Sequence, residues 1–392
     1  VSVSSLLVRG PYKGPSGYDH HVREFVREFC RQGIAVQLVD APQWGPVKLP
    51  TPLQDPWFDT LHRPVHAQTA LQFCMPHQVV PFPAHLNVNY TMFEATRIPA
   101  AWVRANRRHD LVIVPTESSR CAWVASGFPA RRIRLCPLGI NRRLFSRRVV
   151  PIQRRLTDGS SLAQYRFRFL NVSELGPRKN LTGLLRAWLV ATSHQDDAVL
   201  IIKLSTGALG SLQFFHHQLT SLQQQVGKRL AEAAPVHFIH DLFSDEEMPG
   251  LYAAATHYIS MSFGEGWDQS MVEAGASGLR LISPSHSAYT AYLDPSVAQL
   301  IPVREVPAEF PGPTGAFFRG ARWWEPDHDA AVAAIRAAIE GRDAPRGSAG
   351  DRILSEFTWE RAARRLISLL DELEMGARSR RPWKRFRLIG PR

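Results

Sequence analysis

At 392 residues, 44% of them hydrophobic, the chain is long enough for two domains of ordinary size and too rich in apolar residues to be disordered. No run of about 20 apolar residues predicts a membrane span, and Val1–Gly10 reads as a first strand, since it lacks the basic and apolar regions of a secretory leader. The formal charge of +12 is concentrated: Arg378, Arg380, Arg381, Lys384, Arg385, Arg387 and Arg392 all fall in residues 377–392, with no acid among them.

In chain order, Ser4–Val8 predicts a strand, followed by a loop through Gly10, Gly14 and Gly17. A helix follows, with Val22, Phe25, Val26 and Phe29 at helical spacing; Gly33 ends it and Ile34–Val39 is the next strand. Strand, Gly-rich loop, helix and strand make a Rossmann-like half. His20 and His21 are read as surface residues of that helix. The stretch Gln43–Pro83 is rich in proline, poor in periodicity and expected to include loops over a cleft mouth. Leu86–Pro99 is a strand running into a loop, and Asp110–Ser119 a strand with a capped helix after it. The basic run Arg147–Arg155 reads as an interdomain linker. A second alternation of strands and helices begins with Phe167–Val172 and includes the buried-type strand Ala198–Lys203. Cys30, Cys74, Cys121 and Cys136 form no metal-ligand spacing, so buried free thiols in a reducing, cytoplasmic setting are expected.

The most informative segment is Phe263-Gly264-Glu265-Gly266-Trp267-Asp268-Gln269-Ser270-Met271-Val272-Glu273, continuing through Gly278. Gly264 and Gly266 disfavour a helix, whereas Asp268 or Ser270 can cap one that starts with Met271 and Val272. A loop entering a helix leaves free amides that favour an anion. Glu265 and Glu273 flank that seat, and carboxylates accept from sugar hydroxyls. The segment resembles the Glu-x7-Glu motif of retaining glycosyltransferases of the GT-B fold, most closely family 4. The resemblance implies an α/β chain with two Rossmann-like domains facing a central cleft, and C-terminal helices crossing back to the first domain. Residues 1–148 would form the acceptor-side domain, 149–354 the nucleotide-sugar domain, and 355–392 the returning helices and basic tail.

By the same resemblance, Glu265 would meet the donor sugar and Glu273 the ribose. Lys179 matches the family's diphosphate-binding lysine, whereas Glu174 stands where an arginine is usual; Arg178 is the candidate substitute. Lys203, at a strand end, is a further candidate cation. Gly17, Gly264, Gly266, Trp267, Asp268, Gln269 and Ser270 complete the expected donor site. Thr91 and Glu94 are the candidates on the sugar or acceptor side, since the histidine that many members carry there is missing. The implied reaction moves a hexose-type sugar from a nucleoside diphosphate-sugar to an acceptor that the sequence does not name, without metal or other cofactor. The alternatives are a GT-B epimerase or phosphorylase, or a degenerate nucleotide- or polyanion-binding protein. The tail, with Trp383, Phe386, Leu388 and Ile389 between its charges, suits an anionic membrane surface better than nucleic acid, which would place the protein peripherally on the inner face of a membrane.

Overall fold

The computed structural model describes residues 3–41, 47–83, 85–145, 149–156, 158–204, 209–342 and 349–380. Two six-stranded parallel sheets dominate it. The first runs β1 (Ser5–Gly10), β2 (Ala35–Asp40), β3 (Thr69–Phe73), β4 (Leu86–Tyr90), β5 (Leu111–Val114) and β6 (Ile133–Leu135), in spatial order β2-β1-β3-β4-β5-β6. The second has β7 (Phe167–Ser173), β8 (Ala198–Leu204), β9 (Val236–Ile239), β10 (His257–Ile259), β11 (Arg280–Pro284) and β12 (Gln299–Ile301), in order β12-β11-β10-β7-β8-β9. Residues such as Leu200, Ile201 and Ile202 are buried on both faces, as strands covered by helices on either side require. A two-stranded antiparallel ribbon, β13 (Val303–Pro307) with β14 (Arg322–Pro326), stands apart from both sheets.

The helices are α1 (Gly17–Arg31), α2 (Ala100–Asn106), α3 (Glu117–Ala125), α4 (Arg142–Phe145), α5 (Leu181–Ala191), α6 (Leu209–Val226), α7 (Met248–Ala253), α8 (Gln269–Ala276), α9 (Gly315–Phe318), α10 (His328–Ile339), α11 (Ala349–Glu356) and α12 (Trp359–Arg380). Helix α12 returns to the first sheet's layer. Trp359 packs edge-on against Phe25 of α1 at 5.3 Å, and Glu374 accepts from Thr69 Oγ1 at 2.7 Å. Gly139 is obligatory at this crossing, because a Cβ there would lie 2.2 Å from the backbone nitrogen of Trp359.

The ribbon joins the halves a second time. Thr96 and Arg322 exchange hydrogen bonds, Trp323 Nε1 donates to Glu94 O at 2.9 Å, and Phe318 stacks on Phe93 at 4.9 Å. Two features go beyond the expected elements. Within 43–83, β3 sits inside the first sheet and every residue of it is buried. Of the thiols, Cys74 and Cys136 are buried, but Cys121 is exposed and Cys30 only partly covered. Residues 381–392, most of the basic tail, lie outside the described residues; residues 377–380 continue α12.

Candidate active site

In the second sheet the chain order reverses between β7 and β10, and the crevice beyond the carboxyl ends of two such strands is where open α/β sheets bind ligands. The loops leaving these strands carry the expected site residues. After β7, the turn Pro177–Lys179 ends at Asn180, held at φ 50°. Asn180 Oδ1 caps α5 by accepting from Gly183 N at 3.1 Å, and its Nδ2 donates to Met261 O at 3.0 Å, which ties the loop to β10. A Cβ at Gly183 would strike that capping amide. After β10, Phe263 N donates to Arg178 O at 2.8 Å, and Ser262 Oγ donates to the same carbonyl.

Glu265 closes the junction. Its Oε2 accepts from Arg178 Nη1 at 2.9 Å and its Oε1 from Lys179 Nζ at 2.7 Å. Its side chain is only 5% exposed. Burial alone would raise the Glu265 pKa, but the two cations outweigh it and hold the carboxyl at about 2. Arg178 also donates to Gly264 O at 2.7 Å, while Glu174, largely exposed, lies 3.5 Å from its other nitrogen. Behind Glu265, its amide donates to Ser287 Oγ at 3.1 Å; Ser287 donates to His286 Nδ1, and His286 Nε2 donates to Ser262 O. Burial lowers the His286 pKa to about 4, so the ring is neutral and this chain of bonds has fixed polarity.

Asp268, at φ 58°, caps α8 by accepting from Met271 N, and its other oxygen accepts from Tyr289 OH at 2.7 Å. Burial, with Glu265 nearby, raises the Asp268 pKa to about 6. The amides of Gln269 and Ser270 have no partner among the described residues, which leaves the start of α8 free to face an anion. Glu273 accepts from Tyr252 OH at 2.7 Å, and burial raises its pKa to about 7 despite His20 and Tyr252.

These residues face a cleft of about 910 Å³ between the two sheets. Gly17, Glu94, Arg178, Lys179, Lys203, Glu265, Gly266, Trp267, Asp268, Gln269, Ser270 and Glu273 all line it. Lys203 is 8% exposed, and no carboxylate lies within ion-pair distance of it among the described residues. Gly17 opens α1, and a Cβ added there would meet nothing within 4 Å. Some expected residues stand elsewhere. Thr91 is fully buried behind the cleft, with its hydroxyl 3.5 Å from Tyr18 OH. A Cβ on Gly264 would meet Glu94 O at 2.9 Å, and one on Gly266 would meet Met92 Cβ at 2.8 Å, so both glycines let the two halves approach. The Trp267 ring packs on Tyr292 and Phe357 in the core and presents little to the cleft.

The histidines of α1 are not surface residues. His21 is buried and its pKa is lowered to about 3 by burial; His20 lines the cleft, with Nδ1 3.3 Å from Asp245 Oδ1 of the opposite half. Burial would lower the His20 pKa, but Asp245 raises it above the ordinary value. Asp245, Tyr252, His286 and Ser287 were not candidates from the sequence. For Asp245 a signal existed: Ser244-Asp245-Glu246-Glu247 follows β9, at the sheet end where ligands bind.

The architecture is the GT-B fold, two Rossmann-like sheets with helices facing a cleft. Sucrose-phosphate synthase from Thermosynechococcus elongatus superposes with a TM-score of 0.64 at 15% identity, covering 95% of this chain and 100% of that one. HepE from Anabaena, solved with UDP-glucose, gives 0.57 at 16% identity, covering 96% and 99%. The UDP-forming α,α-trehalose-phosphate synthase from Burkholderia xenovorans, solved with glucose-6-phosphate, gives 0.60 at 13% identity, covering 94% and 100%. No protein-family model matches the chain, and no curated protein matches its sequence.

Proposed function

We propose that the chain is a retaining glycosyltransferase that moves a hexose-type sugar from a nucleoside diphosphate-sugar to a hydroxyl acceptor without a metal. The observation that carries this reading is the convergence of Arg178, Lys179, Lys203 and the free start of α8 at one sheet crevice, between Glu265 and Glu273. HepE, of the same fold, was solved with UDP and with UDP-glucose, so a uridine diphosphate-sugar is the first donor to test. Residues 1–148 are the acceptor side and 149–354 the donor side of this reading.

In the reaction, the bond between the sugar C1 and the diphosphate oxygen breaks and its electron pair stays on that oxygen. Arg178, Lys179, Lys203 and the amides of α8 stabilise the charge that develops there. The acceptor oxygen bonds to C1 on the same face, and its proton passes to the leaving phosphate oxygen. The diphosphate must share Arg178 and Lys179 with Glu265, which turns that carboxylate into the element that orients both cations. The test is transfer from UDP-glucose followed by NMR of the product. Retention of the donor's anomeric configuration supports the reading, and inversion contradicts it.

A second reading has one observation in its favour. Glu265 already pairs with both cations, and Glu174 adds the second acid that balances their charge, as in a protein that binds nucleotides without turnover. That protein would bind UDP and transfer nothing. The same basic tail is proposed to meet anionic membrane. No helix of the described residues is long and apolar enough to cross one.

A further inference from the structure

A second groove, of about 410 Å³, lies on the first half at the end of its sheet away from the cleft. Leu86 and Leu111, the first residues of β4 and β5, line it, whereas Tyr12, Met75 and Met92, which line the cleft, follow the last residues of β1, β3 and β4. Arg131, Arg132 and Arg134 also line the groove, together with Glu372 and Leu373 of α12. Arg104, Arg107 and Arg108, at the end of α2, extend the same face. Arg132 donates to Arg107 O at 3.0 Å and to Asp110 O at 3.3 Å, and Arg107 donates to Gly127 O at 3.1 Å.

None of these six arginines pairs with a carboxylate among the described residues. Arg107, Arg132 and Arg134 donate only to main-chain carbonyls. The guanidinium groups of Arg104, Arg108 and Arg131 donate to nothing among the described residues, and Arg104, Arg108 and Arg131 are exposed. Two acids line the groove beside them, Asp110, which accepts from Asn87 N, and Glu372. Six cations thus meet two acids. The chain's own tail does not balance them: α12 passes the groove at Gly376 and Ala377, and residues 381–392 after it carry Arg381, Lys384, Arg385, Arg387 and Arg392 and no acid. Like charges repel, so the partner of this face must be a polyanion from outside the chain.

We propose that this face docks on an anionic phospholipid surface. Guanidinium groups bind phosphate and carboxylate oxygens with paired donors. Half-buried Leu86 and Leu373 lie in the groove, and Val124, one turn before Gly127, is 39% exposed, so aliphatic surface accompanies the charge. Trp102, Trp123 and Phe128, the aromatic residues of α2, α3 and the turn after it, are buried, so the face offers no platform on which bases could stack. Docked this way, the protein keeps its cleft open at the opposite end of the sheet. The proposal assigns the contact to the folded first half in addition to the tail, and it does not rest on the donor reading above.

The test is co-sedimentation of the full chain with vesicles of phosphatidylcholine alone and of phosphatidylcholine with one-third phosphatidylserine, at low and at physiological salt. The native chain should bind the anionic vesicles at least about tenfold more than the neutral ones, and less as salt rises. A basic side chain beside such a surface is worth about a fivefold change in partitioning, so Arg104→Gln with Arg108→Gln and Arg131→Gln should weaken binding by about tenfold or more with the tail intact. Because these three groups hold no other part of the protein, the melting temperature and its response to UDP should stay those of the native chain. Lysine at the same three positions keeps the charge and should keep binding within about threefold. Equal binding of the native chain to both vesicles, or native binding by the glutamine variant, overturns the proposal; the second result leaves residues 381–392 as the membrane contact. A single-stranded RNA that strips the native chain from the vesicles, and that the glutamine variant binds more weakly, overturns it as well and assigns the face to nucleic acid.

Discussion

Glu265→Gln keeps the shape of the side chain and removes the charge between Arg178 and Lys179. The variant leaves two largely buried cations with one neutral acceptor oxygen between them. Breaking a buried ion pair by removing one partner costs about 3–5 kcal/mol. The pKa offers a second route: a carboxyl moved from 4.5 to about 2 is stabilised in its charged form by about 3 kcal/mol. Because the folded-state pKa lies below the unfolded value, this stability is fully present above about pH 4.5 and is lost as pH falls through about 2. Urea unfolding of both proteins at pH 7 should therefore differ by about 3 kcal/mol, and the gap should narrow as pH drops below 4.5. UDP should stabilise the variant more than the native protein, since its diphosphate no longer competes with Glu265, while transfer slows. Equal stability of the two proteins across this pH range would refute the reasoning.

Three further outcomes are expected. Burial raises the Glu273 pKa to about 7, so its proton is held in the fold and its contribution to stability falls as pH rises from about 4.5 to 7. The charged carboxylate is the form that accepts from a ribose hydroxyl; UDP affinity measured at pH 6 and 8 should thus rise more for the native protein than for Glu273→Gln, and parallel profiles would remove Glu273 from the ribose site. Gly139→Ala places a methyl against the backbone of Trp359 and should cost about 3 kcal/mol in denaturant unfolding, where a loss near zero would contradict the close crossing. Trp323→Phe removes the bond to Glu94 O and should cost about 1 kcal/mol, whereas Trp323→Ala also empties the ribbon's contact and should cost about 3–5 kcal/mol by the same assay.

Much of the fold was legible because apolar runs and their punctuation are local. The helix face Val22, Phe25, Val26 and Phe29, the cap at Asp268 and the strand Ala198–Lys203 need no knowledge of distant residues. Strand β3 escaped because Thr-Ala-Leu-Gln-Phe neither alternates nor forms a fully apolar run, and follows a proline-rich stretch; its place in the sheet interior is a tertiary fact. Most of the expected site residues line one cleft, but their relations to one another were not legible. The residue pattern assigned Arg178 and Lys179 to phosphate and the family resemblance assigned Glu265 to sugar, while the structure joins all three across 86 or 87 positions of chain. His20 was set aside because the implied reaction needs no protein base and the residue was read as helix surface; its partner Asp245 lies on the other half of the molecule. Thr91 was chosen for its position at a strand end, yet the last residues of β4 and those just after it turn inward under Tyr18.

The central claim is that a nucleoside diphosphate binds at the crevice of β7 and β10 through Lys179. The most direct measurement is thermal unfolding of the native chain and of Lys179→Ala with increasing UDP and UDP-glucose. At about 100 times its dissociation constant, a ligand adds roughly 2.7 kcal/mol of stability. The account predicts saturable stabilisation of the native protein by both compounds, and a response in Lys179→Ala only at much higher concentrations. No response of the native protein to either compound, or the same titration curve in the variant, would contradict it.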